Sequence, residues 1–222
     1  MEQPLIEITA DGSPTLYLPK MDEHYHSVKG ALAESLHVFI QTGFRHSILC
    51  PLTIFEVGFG TGLNAFLTLL ESETSQRKVT YYTIELYPLS TEQVNMLQYP
   101  QIIAPENTFY FEAIHQAEWN TPIKISPYFT IHKIKGDLTR ISLPSESFGL
   151  IYYDAFAPEK QPDMWSEEIF SKISDAMSPG GILTTYCAKG EVRRRLQQSG
   201  LTVERLPGPP GGKREILRAT KL

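Results

Sequence analysis

The sequence predicts a single α/β domain, a mostly parallel seven-stranded sheet with one antiparallel strand and helices on both faces. Three observations predict it. Short apolar, partly β-branched runs alternate along the 222 residues with segments whose apolar residues recur at helical spacing. A turn with three glycines in five residues, Gly58 to Gly62, joins the run LTIFEV to the helical segment LNAFLTLL. The chain closes in two β-like runs, LTVERLPG and KREILRAT, which the turn from Pro207 to Gly212 folds into antiparallel partners.

Taken in order, the pieces LIEI and TLYL between Pro4, Gly12, Pro14 and Pro19 predict a hairpin or irregular arm. From Ser27, SVKGALAESLHVFIQTGF has helical periodicity, with Ser27 positioned as its cap. Residues 1–50 are thus expected to be an arm and helix packing on a core domain of residues 51–222. Within that core the pattern predicts a strand over 52–57, a helix over 62–72, a strand over 78–86 and a helix over 90–98. Residues 99–128 hold Pro100, Pro105, Pro122 and Pro127 around one helical stretch, ENTFYFEAIHQAEW, and read as an insertion on one face. Strand character returns in YFTIHKIKGD and SFGLIYYDAF, followed by a helix over 166–177, the strand GGILTTYCA, a helix over 189–199 and the closing hairpin. No internal repeat or low-complexity linker interrupts this order.

Composition narrows the function. Apolar residues make up 41%, ordinary for one globular core, and no run approaches the ~20 apolar residues of a membrane span. The N-terminal MEQPLIEITADGSP lacks a basic region followed by an apolar one, so a cytoplasmic protein is expected. Cys50 and Cys187 are too few for a disulfide framework and read as packing residues. His24 and His26 alternate on a strand but lack a third ligand nearby, so no metal site is expected. The net charge of −5 hides an asymmetry: from Lys189 to Leu222 there are nine Lys/Arg against three Asp/Glu. A basic end on an acidic body is either a local footprint for a polyanion or a solvated charged helix.

The glycine turn is ambiguous by itself. Its spacing is G-x-G-x-G, neither the G-x-G-x-x-G of dinucleotide folds nor a P-loop, and a tight turn without a ligand remains open. The strand ends add to it. In a parallel sheet, ligands bind at the carboxyl ends of the strands, and four successive strands here end in an acid: Glu56, Glu85, Asp137 and Asp154. Any one of them alone reads as a helix cap or a solvated loop residue. A doubly wound sheet closing in one antiparallel strand resembles the class I S-adenosylmethionine-dependent methyltransferase fold, a Rossmann-like fold. That resemblance implies S-adenosyl-L-methionine as cofactor, with Glu56, Gly58, Gly60, Gly62, Asn64, Glu85, Asp137 and Asp154 around it. Carboxylates without a phosphate-binding lysine suit a ligand that carries a sulfonium and ribose hydroxyls but no phosphate.

The stretches DAFAPEKQPDMW (Asp154 to Trp165) and GEVRRRLQQSGLTVERLPGPPGGKREILRA (Gly190 to Ala219), with EVGFGTGLN and IELYPLS, make the resemblance specific. Together they resemble the MnmC-like methyltransferase domain of tRNA 5-methylaminomethyl-2-thiouridine biosynthesis, over about residues 14–220, in a form without the flavin-dependent oxidase half. The resemblance implies methyl transfer to the amine of 5-aminomethyl(-2-thio)uridine at the tRNA wobble position, with tRNA as partner and a separate enzyme supplying the amine. It implies Asp154 as the group that orients the amine and accepts a proton, and Phe156 and Trp165 as aromatic faces for the base. Arg193, Arg194, Lys213 and Arg214 are the expected phosphate contacts, and Arg195 lies on the same helix. The protein is expected to be a monomer and to bind no membrane. Two other readings stay open: a methyltransferase of the same fold acting on another amine, and a non-catalytic tRNA-binding module.

Overall fold

The structure, a computed structural model, describes residues 4–222; residues 1–3, where the expected N-terminal arm begins, lie outside the described residues. Strands β1 (Leu5–Ile8), β2 (Pro14–Leu18) and β3 (Glu23–His24) form a small antiparallel sheet. Helix α1 (Ala31–Ser35) follows and continues as a π-helical segment, Leu36–Phe44. Ser27 is not its cap. The N-cap is Gly30, and the first free N–H groups donate instead to the β1–β2 loop: Ala31 N to Thr9 Oγ1 (3.3 Å), Leu32 N to Ser13 Oγ (3.1 Å) and Ala33 N to Asp11 Oδ2 (2.8 Å). The orphan donors of a helix end need an acceptor, and here it comes from about 20 residues earlier in the chain. Sequence spacing around Ser27 cannot reveal such a cap.

The core alternates as expected: β4 (Leu52–Val57), α2 (Leu63–Ser75), β5 (Val79–Glu85) and α3 (Thr91–Leu97), the last closed by a Ser90–Gln93 capping box. The 99–128 stretch comprises α4 (Tyr99–Ile103), α5 (Thr108–Gln116) and a short strand β6 (Pro122–Lys124). Then come β7 (Phe129–Lys135), β8 (Phe148–Tyr153), α6 (Glu167–Ala176, capped by Ser166), β9 (Met177–Thr185), α7 (Gly190–Gln198), β10 (Leu201–Pro207) and β11 (Glu215–Lys221).

The main sheet has the order β10-β11-β9-β8-β4-β5-β7-β6, with β9, β8, β4, β5 and β7 all parallel. β11 runs against both neighbours. These seven strands are the expected sheet. The eighth, β6, is an addition that pairs antiparallel with β7. Three residues led by a proline give no period to read, and only its neighbour makes it a strand.

The two-residue period of the strands divides the core. Ile54, Tyr81, Ile131, Leu150 and Tyr152 pack with the π-helical segment, α2 and α5. Phe55, Val57, Ile151, Tyr153 and Leu183 pack with α6 and α7 on the opposite face. Registers Val57↔Ile84, Val57↔Tyr153 and Glu85↔Lys135 end the central parallel strands at one level, so their carboxyl-end loops converge. Among the described residues no helix is long and apolar enough to cross a membrane.

Candidate active site

An open cleft lies over those loops, lined by the glycine turn, Glu85, Asp137, Asp154 and Phe156 among others. Gly58 (φ 90°) and Gly60 (φ 48°) bring backbone to the cleft wall. A Cβ on Gly58 would lie 3.0 Å from the Asp154 carbonyl oxygen, and one on Gly60 3.0 Å from the Tyr25 ring, so any side chain would push the walls apart. Glu85 accepts from Gly60 N through Oε2 (3.0 Å) and from Tyr87 N through Oε1 (2.8 Å). A carboxylate oxygen has two lone pairs, so each can still accept a hydroxyl from a ligand. Apart from His26 no basic side chain lines the cleft among the described residues. This side-chain set fits a ligand with ribose hydroxyls and a cationic centre, and offers no lysine or arginine for a phosphate.

A second cavity, about 510 Å3, adjoins the first and shares with it Tyr25, His26, Asp154, Ala155 and Phe156. Asp154 therefore stands in the wall between the two chambers. Its Oδ2 accepts from Asn64 Nδ2 at 2.8 Å. Burial and the nearby Glu34 carboxylate push its pKa up, Asn64 and Lys213 pull it down, and the net result is about 7. Glu34 is itself held by Lys213 at 3.0 Å, and the Lys213 ammonium sits 3.7 Å from the centre of the Tyr186 ring. Tyr186 in turn donates its hydroxyl to the Ala155 carbonyl at 2.8 Å.

The small N-terminal sheet completes the wall. Tyr25 follows β3, meets Phe156 edge-on at 5.1 Å, and covers Gly60. His26 Nε2 bonds Thr61 Oγ1 at 2.7 Å, and burial lowers its pKa to about 4, so it is neutral at pH 7. Neither residue was given a role by the sequence, and strand alternation could not have found them: β3 ends at His24, and Tyr25 and His26 follow it in a bend that lines both cavities. The 99–128 insertion supports the turn from the other side. Lys133 Nζ donates to the His115 carbonyl (2.7 Å) and lies against the Trp119 and Phe59 rings, and burial lowers its pKa to about 8.

The sequence-predicted residues separate into four groups. Gly58, Gly60, Asn64, Glu85, Asp137, Asp154 and Phe156 line the cleft. Asn64 faces Asp154, and the Asp137 carboxylate is engaged by Thr139 N (2.9 Å) and Thr139 Oγ1 (2.7 Å) in its own turn. Lys213 lines the second cavity.

Three residues are not where expected. Glu56 is fully buried below the cleft, because residue 56 of β4 turns into the sheet's interior between Thr83 and Tyr152. Gly62 is the left-handed N-cap of α2, outside the cleft lining. Trp165 is fully buried and presents no face to a base; its Nε1 donates to the Phe156 carbonyl at 2.8 Å, fixing the backbone that carries Phe156.

On the basic end, Arg195 Nη1 donates to the Trp165 carbonyl (2.8 Å), while Arg193, Arg194 and Arg214 have no ion pair among the described residues.

Comparison with known proteins follows the same lines. A family described as S-adenosyl-L-methionine-dependent methyltransferase matches residues 104–222. The bifunctional protein MnmC of tRNA 5-methylaminomethyl-2-thiouridine biosynthesis from Pseudomonas entomophila is 31% identical over 84% of this chain and 31% of its own length. The corresponding protein of Cupriavidus necator is 28% identical over 96% of this chain and 34% of its own. The chain thus spans about a third of the length of these relatives. In fold, the crystal structure of MnmC2 from Aquifex aeolicus matches with a TM-score of 0.81 at 24% identity, over 99% of this chain and 70% of that one.

Proposed function

We propose a reaction from one premise: the chain belongs to the S-adenosyl-L-methionine-dependent methyltransferase family. The cofactor is S-adenosyl-L-methionine, which when bound supplies an electrophilic methyl group on a sulfonium. The proposed acceptor is the primary amine of 5-aminomethyl(-2-thio)uridine at the tRNA wobble position, and the product is 5-methylaminomethyl(-2-thio)uridine. The similarity to the tRNA 5-methylaminomethyl-2-thiouridine biosynthesis proteins supports this acceptor.

The observation that carries the reading is the place of Asp154, in the common wall of two cavities and with a pKa of about 7. An alkylammonium has an ordinary pKa near ~10 and no lone pair to attack with. A base poised near neutrality is about half ionised at pH 7, and that ionised fraction can take the proton. Asp154 is proposed to hold the amine by hydrogen bonds, receive that proton on Oδ1 and keep Oδ2 on Asn64. The Ala155 and Phe156 backbone, fixed by Tyr186 and Trp165, keeps the carboxylate and the Phe156 ring in one orientation. Phe156 and Tyr25 are proposed as the faces against which the base stacks. Glu85 is proposed to accept the ribose hydroxyls of the cofactor, and the turn at Asp137 to meet its base. Arg193, Arg194 and Arg214 are proposed to contact tRNA phosphates. A separate enzyme is proposed to supply the amine, and the protein is proposed to act as a cytoplasmic monomer.

The test is methyl transfer from labelled S-adenosyl-L-methionine to tRNA carrying 5-aminomethyluridine, read by nucleoside mass analysis. Labelled 5-methylaminomethyluridine is expected. Transfer to a small amine or a protein, with none to that tRNA, would overturn the reading.

A further inference from the structure

Glu56 has a buried carboxyl for which the reaction above has no use. It is fully buried, and neither carboxyl oxygen makes a hydrogen bond. The polar groups around it are Thr83 and Tyr81 from β5, Tyr152 from β8, Asn64 from α2, and Asp154 beyond β8. None is basic. An ionised carboxylate without a counter-charge in such a place is prohibitively costly, so the group is neutral, and burial holds its pKa well above the carboxylate range.

A donor and acceptor count then gives that neutral acid a task. Asn64 is 3% exposed; its Nδ2 is committed to Asp154, while its Oδ1 is buried and lacks a donor. The Tyr81 and Thr83 hydroxyls are likewise buried and without partners. A carboxylic acid has one O–H to give and a carbonyl oxygen that accepts twice. If its O–H goes to Asn64 Oδ1, and Tyr81 and Thr83 donate to its carbonyl oxygen, each of these buried groups has a partner. If the amide were reversed, its oxygen would face the Asp154 carboxylate, two acceptors against each other.

We propose that Glu56 is a positioning residue for Asp154: its carboxylic O–H bonds Asn64 Oδ1 and fixes the amide with Nδ2 toward Asp154. The action at a distance is electrostatic. Asn64 is one of the two groups that draw the Asp154 pKa down against burial and Glu34, the other being Lys213. With the amide unfixed, that stabilisation of the anion weakens and Asp154 holds its proton at higher pH. The proposal rests on Asp154 acting as the base, but its structural part can be tested without any acceptor.

The experiment is carbon-13 NMR titration of the Glu56 and Asp154 carboxyls in the full chain. In the wild type Asp154 is expected to titrate near 7 and Glu56 to stay protonated through that titration. Glu56→Gln retains a donor for Asn64 and an acceptor for Tyr81 and Thr83, so the Asp154 midpoint should stay within a few tenths of a pH unit. Glu56→Leu removes both and should raise it by about one unit, with the pH–rate limb moving in parallel while cofactor Kd and tRNA KM stay within threefold.

Ionisation of Glu56 before Asp154, an unmoved midpoint in Glu56→Leu, or equal shifts in both variants would overturn the proposal. If Glu56→Leu does not fold, the wild-type titration and Glu56→Gln decide. Expected titrations without methyl transfer to tRNA would count against the acceptor assignment alone; unexpected titrations with full transfer would count against Glu56 alone.

Discussion

Asp154 illustrates how much a single carboxyl's surroundings determine. Its ordinary pKa is 3.8, and in the folded protein it is about 7. Between those values the native state binds more protons than the unfolded chain, so stability falls as pH rises through this window. Below about pH 3.8 the group is neutral in both states and has no effect. Asp154→Asn should therefore melt higher than the wild type above pH 7, with the difference vanishing near pH 3.5, a trend that scanning calorimetry across pH would follow. The same substitution should lower kcat by about 10²–10⁴, the usual worth of a positioned base, while cofactor affinity stays within a few-fold. In the wild type, kcat should rise about tenfold per pH unit below 7 and level off above. The position of Asp154 was legible because it is local: an apolar strand ends in YYDAFAP. Its partner Asn64 lies 90 residues away in sequence and was expected to serve the cofactor, since spacing alone cannot indicate which way an amide faces.

At the level of elements, the arm and the first helix stand or fall together. The Asp11 carboxylate accepts from Thr9 Oγ1 (2.7 Å), Ser13 N (3.0 Å) and Ala33 N (2.8 Å), joining the β1–β2 loop to the start of α1. Burial raises its pKa, but the hydrogen bonds led by Ser13 outweigh it and leave the pKa below the usual value. Asp11→Ala should cost about 1–2 kcal/mol in chemical denaturation, the range for a lost helix cap, with kcat unchanged at saturating cofactor. The strands and helices of the core were readable because each carries its own period, as in LTIFEV and LNAFLTLL. The cap of α1, the strand β6 and the seat of Trp165 were not, because each depends on a partner brought in by the fold. Trp165 was expected as a face for the base; the fold closes Tyr153, Phe170 and Tyr186 around it.

For the whole molecule, the basic end is less free than its composition suggests. Of its nine cationic residues, Lys189, Arg205, Lys213 and Arg218 are ion-paired, and Arg195 and Lys221 bind carbonyls. Arg193, Arg194 and Arg214 remain for a polyanion. Replacing all three with Ala should weaken tRNA binding roughly tenfold or more at moderate salt. It should also flatten the slope of log K against log salt by up to about 3, near one unit per lost phosphate contact, with cofactor binding unchanged. Filter binding across a salt series measures both. Composition disclosed the asymmetry, and only the fold distinguishes cations already engaged from those still available.

The common wall of the two cavities also bears on inhibition. Because Tyr25, Asp154 and Phe156 border both, one molecule carrying an adenosine-like half and an amine half could occupy both chambers across a short tether. Each half would then hold the other at high effective concentration, so two weak fragments would combine into a tight ligand without any new contact.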